Sequence, residues 1–313
     1  MLSPQSVELP VWLLNFEETV ELLLGRDGTQ HEVEAGILKG AILDAKRRFV
    51  GEGRDTSYIT VDTPVPYRMA TLVQYLEKQM GRLDKPENST PYLRLKDRIA
   101  LITGASRGLG AAAALAYARE GAHCVLVART VGGLEAVDDQ IKAVGGTATL
   151  VPLDITDGPG IDRLGAALYE RFGRLDVLLG NAGLLGMLAP LGHIEPAIFE
   201  KVMAVNVTAN WRLIRSMDPL LRRSDAGRAI FVTSGVTRRA IPYWGAYAAS
   251  KAALEMLAGI YAAEIEHTKI RVNLYNPGAT RTGMRKEAFP GENPETLPAP
   301  EAHGEGLIQL ALP

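Results

Sequence analysis

The stretch "IALITGASRGLGAAAALAYARE" (99–120) decides the fold. Residues 99–103 are an apolar run of strand length without clean alternation, as expected of a strand covered on both faces of a parallel sheet. A glycine-rich loop follows, then a run of alanines with high helix propensity. In this strand–loop–helix setting Gly104, Gly108 and Gly110 allow a tight turn, close backbone approach to a pyrophosphate and tight packing of helix on sheet. The helix N-terminus then offers free N–H groups and its positive dipole end to phosphates. An ordinary glycine-rich turn is the competing reading of the loop taken alone. The spacing is not that of a Walker loop, which needs a Lys-Ser/Thr pair absent here. Further strand-length runs occur at 123–128, 147–154, 175–181, 228–234 and 269–278, separated by helical segments such as "IDRLGAALYERFG" (161–173). This alternation predicts an α/β fold with a doubly wound parallel sheet and right-handed crossovers.

The end of the second strand, "VLVARTVGG" (125–133), bears on the choice of dinucleotide. About 20 residues after the loop, an NAD-type fold carries an acid that holds the ribose 2′-OH. Here Ala128, Arg129 and Thr130 stand there, with no carboxylate. A carboxylate would repel a 2′-phosphate, whereas Arg129 can grip one with a charge-assisted fork, and Arg107 in the loop can close over it. The predicted cofactor is therefore NADP(H) in preference to NAD(H). A solvated surface arginine is the plainer alternative at both positions.

In "WGAYAASKAALEML" (244–257), Tyr247 and Lys251 lie four residues apart and share a helix face amid alanines. Together with "TGASRGLG" (103–110), "NAG" (181–183), "NVTA" (206–209) and Ser234, the "YAASK" run (247–251) resembles the short-chain dehydrogenase/reductase family in order and spacing. The resemblance covers about residues 96–313. Tyr-x-x-x-Lys alone would be a weak signal; the motifs taken jointly are specific. The implied fold is Rossmann-like, and the implied reaction moves a hydride between NADP(H) and a carbonyl or secondary alcohol.

Hydride transfer at an oxygen-bearing carbon needs a proton to move on that oxygen. Free tyrosine, with a pKa of about 10, is too weak a base near neutrality, and a neighbouring cation such as Lys251 favours the phenolate. Tyr247 is thus the expected general acid/base and Lys251 its tuning cation. The Ser234 hydroxyl, thirteen residues before Tyr247, can hold the substrate oxygen and stabilise charge developing there. The resemblance further implies that Lys251 hydrogen-bonds the nicotinamide ribose and that Asn206 holds a water passing protons between Lys251 and solvent. A plain buried amide satisfied by backbone is the alternative for Asn206. It also implies cofactor contacts from Gly104, Ser106, Arg107, Gly108, Leu109 and Gly110 in the loop. Beyond the loop it implies contacts from Asp154 and Ile155 at the adenine, Asn181, Ala182 and Gly183 at the fourth strand's end, and Pro277, Gly278, Thr280 and Thr282 after the sixth. The stretches 184–194 and 284–297 are the expected substrate wall and lid, and imply an apolar substrate.

Two regions depart from the family pattern. The family's final strand is not found after "EAHGEGLIQLALP" (301–313), which leaves an expected open sheet edge. Residues 1–95 form an expected accessory or fused region, mixed α/β or helical, with a polar linker at about 82–97. Within it "NFEETVELLLG" (15–25), "EVEAGILKGAILDAKRRFVG" (32–51) and "YRMATLVQYLEKQMGRL" (67–83) read as helices and "SYITVDT" (57–63) as a strand. "VWLLNFEETVELLLG" (11–25) and "ITVDTPVPYRMATLVQYLEKQMGRLDKPENSTPYLRLK" (59–96) are similar to an internal stretch of HerA-like helicase ATPases, without the phosphate-binding Lys-Ser/Thr loop. A non-catalytic nucleotide-binding interaction protein, built on a truncated and fused dehydrogenase domain, is the rival function.

Composition narrows the classes. The net charge of −2 is spread along the chain, so no nucleic-acid track or membrane-surface patch is expected. The single cysteine, Cys124, excludes an internal disulfide and fits a reducing compartment. The five histidines show no pair at ligand spacing, so no metal is expected. No basic leader and no apolar run of about 20 residues is seen, so the expected location is the cytoplasm. The family resemblance implies a homo-oligomer.

Overall fold

The computed structural model describes residues 32–50, 56–57, 59–63 and 93–313. The chain divides into two units, Met1–Pro91 and Tyr92–Pro313.

In the second unit, the expected strands appear as β1 (Ile99–Thr103), β2 (His123–Ala128), β3 (Thr147–Pro152), β4 (Val177–Gly180), β5 (Arg228–Val232) and β6 (Arg271–Tyr275). They form one six-stranded sheet in the order β3-β2-β1-β4-β5-β6. Every pairing is parallel, with Ile99 opposite His123 and Leu101 opposite Leu178. The helices, numbered after α1 (Glu32–Val50) of the first unit, are α2 (Gly108–Arg119), α3 (Val131–Ala143), α4 (Gly158–Phe172), α5 (Pro196–Met203), α6 (Ala209–Leu221), α7 (Gly245–Glu264), α8 (Gly283–Ala288) and α9 (Gly304–Ala311). This is a Rossmann-like, doubly wound α/β fold.

The two faces of β1 explain its unbroken apolar run. Ala100 and Ile102 join a core with Tyr117, Leu134, Ile141 and Leu307 from α2, α3 and α9. Ile99 and Leu101 join a second core with Ile161, Leu213 and Leu254 from α4, α6 and α7. The chain winds outward from β1 to β3, then crosses to β4 and winds out the other way. The reversal between β1 and β4 opens a crevice at the carboxyl ends of the strands.

Strand ends differ from the sequence expectation where side chains redirect the backbone. β4 begins at Val177 because Asp176, almost fully buried, turns its carboxylate to the Ile99 N–H (2.8 Å), Ser224 (2.6 Å) and the guanidinium of Arg98 (3.2 Å). β5 ends at Val232, where Ser234 caps a single 3-10 turn, Gly235–Arg238. β6 is the outer strand of the described sheet and pairs with β5 alone. Residues 93–97, expected in the linker, pack on the second unit: Leu95 is fully buried, and Arg94 pairs with Glu120 (2.6 Å) and Glu305 (2.7 Å).

In the first unit α1 matches the expected helix, but among the described residues of 57–63 the expected strand is not formed. Its described residues turn: Thr63 N–H donates to the Thr60 carbonyl, and the buried Lys46 ammonium collects the carbonyls of Val61 and Thr63 (2.5 and 2.7 Å). Carbonyls drawn to one ammonium cannot serve a ladder. The helices expected at 15–25 and 67–83, and nearly all of the HerA-like stretch, lie outside the described residues. Among the described residues no helix is long and apolar enough to cross a membrane, and no group of three or more His, Cys, Asp or Glu is placed to hold a metal ion.

Candidate active site

A cleft of about 1480 Å³ opens at the crevice between β1 and β4, and the expected site residues converge on it. Its floor is the glycine loop. Gly104 has φ +65°, and a Cβ on Gly110 would stand 2.3 Å from the Gly104 carbonyl oxygen, so the loop closes this tightly only with glycine there. The N-terminus of α2 has no side-chain cap, because its N-cap residue, the extended Arg107, carries no acceptor; Ser106, Arg107, Gly108 and the buried Leu109 line the cleft there. On the opposite wall Pro277, Gly278 and Thr282 bring a second loop over the first. A Cβ on Gly108 would lie 3.6 Å from Thr282 Cγ2.

At the end of the cleft beside β2, Arg129 is two-thirds exposed and stands 3.9 Å from Asp154. The Asp154 carboxylate accepts from the N–H and hydroxyl of Thr156 (2.9 and 2.8 Å), and those bonds, the backbone one foremost, hold it below the usual carboxylate range. Ile155 is buried beneath it. Thr130 also lines the cleft, and its side chain makes no capping bond to α3. A helix-start residue with an unused hydroxyl, next to Arg129, is the available signal for a position the sequence reading left out.

Some expected contacts are turned inward. The Asn181 amide donates to the Thr103 carbonyl (2.8 Å), and the Thr103 hydroxyl receives the N–H of both Asn181 and Ala182 (3.0 Å each). Asn181 therefore stitches β4 to β1, and Ala182 and Gly183 form the cleft wall. Thr280 is buried, and its hydroxyl meets the Pro277 carbonyl (3.1 Å) and His303 Nε2 (2.9 Å), with His303 Nδ1 in turn on Tyr275 (2.7 Å). Thr282 caps α8 through the Arg285 N–H (3.2 Å). Both threonines shape the loop, with their hydroxyls already engaged.

Deeper in the cleft α7 presents Tyr247 and Lys251, both buried. The Lys251 ammonium donates to the Val232 carbonyl at the end of β5 (2.8 Å) and lies 5.7 Å from the Tyr247 ring centroid. Desolvation takes its pKa down to about 8. A Cβ on Gly183 would lie 3.5 Å from this ammonium and from Asn206 Oδ1, so "NAG" leaves the lysine head open to the cleft. The Tyr247 phenol is raised above its usual value by burial, partly offset by the nearby Ser234 hydroxyl. The expected lowering by Lys251 is not seen: its ammonium is held by the Val232 carbonyl, and burial disfavours the phenolate.

Asn206 occupies a π-helical turn, Ala204–Thr208, between α5 and α6, a kind of local irregularity common at functional sites. Its Oδ1 accepts from the Leu184 N–H (2.8 Å), while Nδ2 donates to the Leu184 carbonyl (2.9 Å) and Ser250 Oγ (2.9 Å). Both amide hydrogens are used, and Ser250 sits on α7 one residue before Lys251. The side chain thus ties the cleft wall to α7 through Leu184 and Ser250, with both amide hydrogens engaged.

Glu255, one further helical turn along α7, was not singled out. Its Oε1 accepts from Thr233 (2.5 Å) and Thr237 (2.9 Å), the hydroxyls on either side of Ser234. Tyr247, Lys251 and Glu255 recur every four residues on one face, a register visible in the sequence; its pairing with two distant threonines is not. The substrate end is lined by Leu184, Leu185, Met284 and Phe289 from the two expected stretches, joined by Arg239, Ile241 and Trp244 from the turn after β5. Trp244 packs against Tyr247 and Phe289, with ring centroids 6.0 and 5.7 Å apart.

The glycine cradle, the uncapped helix start and the two exposed arginines suit a dinucleotide. Comparison with known proteins agrees with this geometry. The short chain dehydrogenase family model matches residues 98–293. The uncharacterized oxidoreductase YciK of Escherichia coli K12 is 41% identical over 209 residues, which cover 66% of this chain and 82% of YciK. A Pseudomonas syringae structure described as a short chain dehydrogenase superposes with TM-score 0.69 at 43% identity, covering 72% of this chain and 94% of its own. A Shigella flexneri 2a structure complexed with NADP gives TM-score 0.69 at 39% identity, covering 71% and 94%. With that match spanning the sheet, the glycine loop and the tyrosine–lysine helix, the chain belongs to the short chain dehydrogenase family.

Proposed function

We propose that this oxidoreductase transfers a hydride between NADP(H) and a carbonyl or secondary alcohol, with Tyr247 as the general acid/base. The observation that carries the reading is the convergence, in one cleft, of the buried Tyr247, Ser234, the Lys251 ammonium and the glycine loop. The glycine loop and the start of α2 would hold the pyrophosphate, Arg129 with Thr130 and Arg107 the 2′-phosphate, and Lys251 the ribose. When bound, the cofactor supplies or accepts the hydride.

The protein's own residues manage the oxygen and its proton. Ser234 receives the carbonyl oxygen and holds it against the phenol. Tyr247, kept neutral by burial, donates its proton as charge develops on that oxygen, and takes one back in the reverse direction. Lys251 stabilises the transient phenolate. Asn206 fixes α7 to the cleft wall through Ser250, and Glu255 fixes both flanks of Ser234. A binding module needs no such coordination of acid, cation and oxygen holder. Change of nicotinamide absorbance with NADPH across aldehydes and ketones tests the reading; tight NADPH binding without turnover on the whole panel would favour the non-catalytic alternative.

We further propose a homo-oligomer. The outward face of α7 carries exposed Ala252, Met256, Gly259 and Ile260, an apolar stripe with small residues that lets helices approach closely.

A further inference from the structure

Among the described residues two exposed cations at the cleft's substrate end have no assigned task, Arg239 and Lys286, and only the arginine offers a planar fork matched to a carboxylate or phosphate. Of the lining arginines, Arg281 is paired with Glu295 (2.8 Å) and Arg285 with Glu292 (2.6 Å). Arg107 and Arg129 belong to the cofactor end. Arg239 is exposed, lines the cleft, and makes no hydrogen bond or ion pair among the described residues.

Its place in the chain ties it to the reacting oxygen. Ser234 and Arg239 are the two caps of the same 3-10 turn. Five residues at about 2 Å per residue put their backbones roughly 10 Å apart. The turn is fixed to α7 by the Thr237–Glu255 bond (2.9 Å). Ile241 and Trp244 line the same cleft, and Trp244 packs against Tyr247 with ring centroids 6.0 Å apart. We propose that Arg239 is the anion-binding residue of the substrate site, and that the substrate is an apolar, preferably aromatic, carbonyl compound bearing a carboxylate or phosphate ester at the far end from the reacting carbon. Ser234 holds one end of such a molecule, Trp244 its body, and the guanidinium forks onto the anion at the other.

The proposal rests on the oxidoreductase reading, and its test separates the two. Aromatic and aliphatic aldehydes and ketones are each supplied to the full chain with NADPH as the free acid, the phosphate ester and the neutral methyl ester. One or both anionic forms should show kcat/KM at least about fivefold above the ester, through KM, with the preference shrinking as salt rises. In Arg239→Gln the loss on the preferred anion should exceed the loss on the ester by about fivefold to tenfold, with Arg239→Lys intermediate. Calorimetry with NADP+ and the anionic aldehyde, where no reduction takes place, should show the same loss of affinity. Equal use of anion and ester by the unmodified chain, or an equal loss on both in Arg239→Gln, overturns the anion site and leaves the oxidoreductase reading standing. Absence of turnover on every member overturns both.

Discussion

At the scale of single residues, burial sets the chemistry of the two central groups in opposite directions. It raises the Tyr247 phenol and lowers the Lys251 ammonium to about 8, so both are pushed towards neutrality. For the tyrosine this favours the proton-donating form. For the lysine it has a measurable consequence. On the proposed reading the charged form holds the ribose, so a bound cofactor raises the lysine pKa above its free value. NADPH affinity should be level below about pH 8 and weaken as pH rises through it, by up to tenfold per pH unit. Fluorescence titration should show this slope in the unmodified chain and not in Lys251→Met; the same slope in both would remove the lysine from cofactor binding. At the other end of the cleft, Arg129→Asp exchanges a 2′-phosphate partner for a repelling charge. NADPH affinity should fall roughly tenfold to a hundredfold while NADH affinity holds or improves. Parallel loss with both cofactors would assign Arg129 a structural task.

At the scale of elements, the turn between β5 and α7 depends on Glu255. Glu255→Ala strands the buried Thr233 hydroxyl and frees the far side of the Ser234 turn, which should cost about 1–2 kcal/mol in urea unfolding. It should also lower kcat for carbonyl reduction about tenfold with little change in NADPH affinity. Glu255→Gln keeps an acceptor oxygen and should recover most of the rate; failure of that rescue would mean that the charge, and not the acceptor, matters. What could be read beforehand follows the same physics. The strands were legible because buried parallel strands leave continuous apolar runs, and the glycine loop because Gly104 and Gly110 have no substitute at those contacts. Glu255, Thr130 and Arg239 were not, since their meaning depends on partners or walls brought from elsewhere in the chain. Asn206 was legible as a buried amide, but its attachment to Leu184 and Ser250 depends on a π turn that no local pattern announces. The turn at 59–63 read as a strand because its β-branched residues gave no sign of Lys46, which gathers its carbonyls.

At the scale of the molecule, the apolar stripe of α7 lies behind the Tyr247–Lys251 face of the same helix. If copies of the chain pack there, association also steadies Tyr247 and Lys251 from behind. Ile260→Asp should shift the mass measured by light scattering to that of one chain, and an unchanged assembly would move the interface to another surface. The central claim is that this cleft delivers a hydride to a carbonyl while Tyr247 delivers the proton. Its most direct test is label transfer from NADPH deuterated at the nicotinamide C4, followed by mass spectrometry of the alcohol, in the unmodified chain and in Tyr247→Phe. Deuterium should appear on the carbinol carbon with the unmodified chain, and transfer should fall roughly a thousandfold in Tyr247→Phe although NADPH still binds. Label transfer at an undiminished rate in Tyr247→Phe, or no NADPH binding by the unmodified chain, would contradict it.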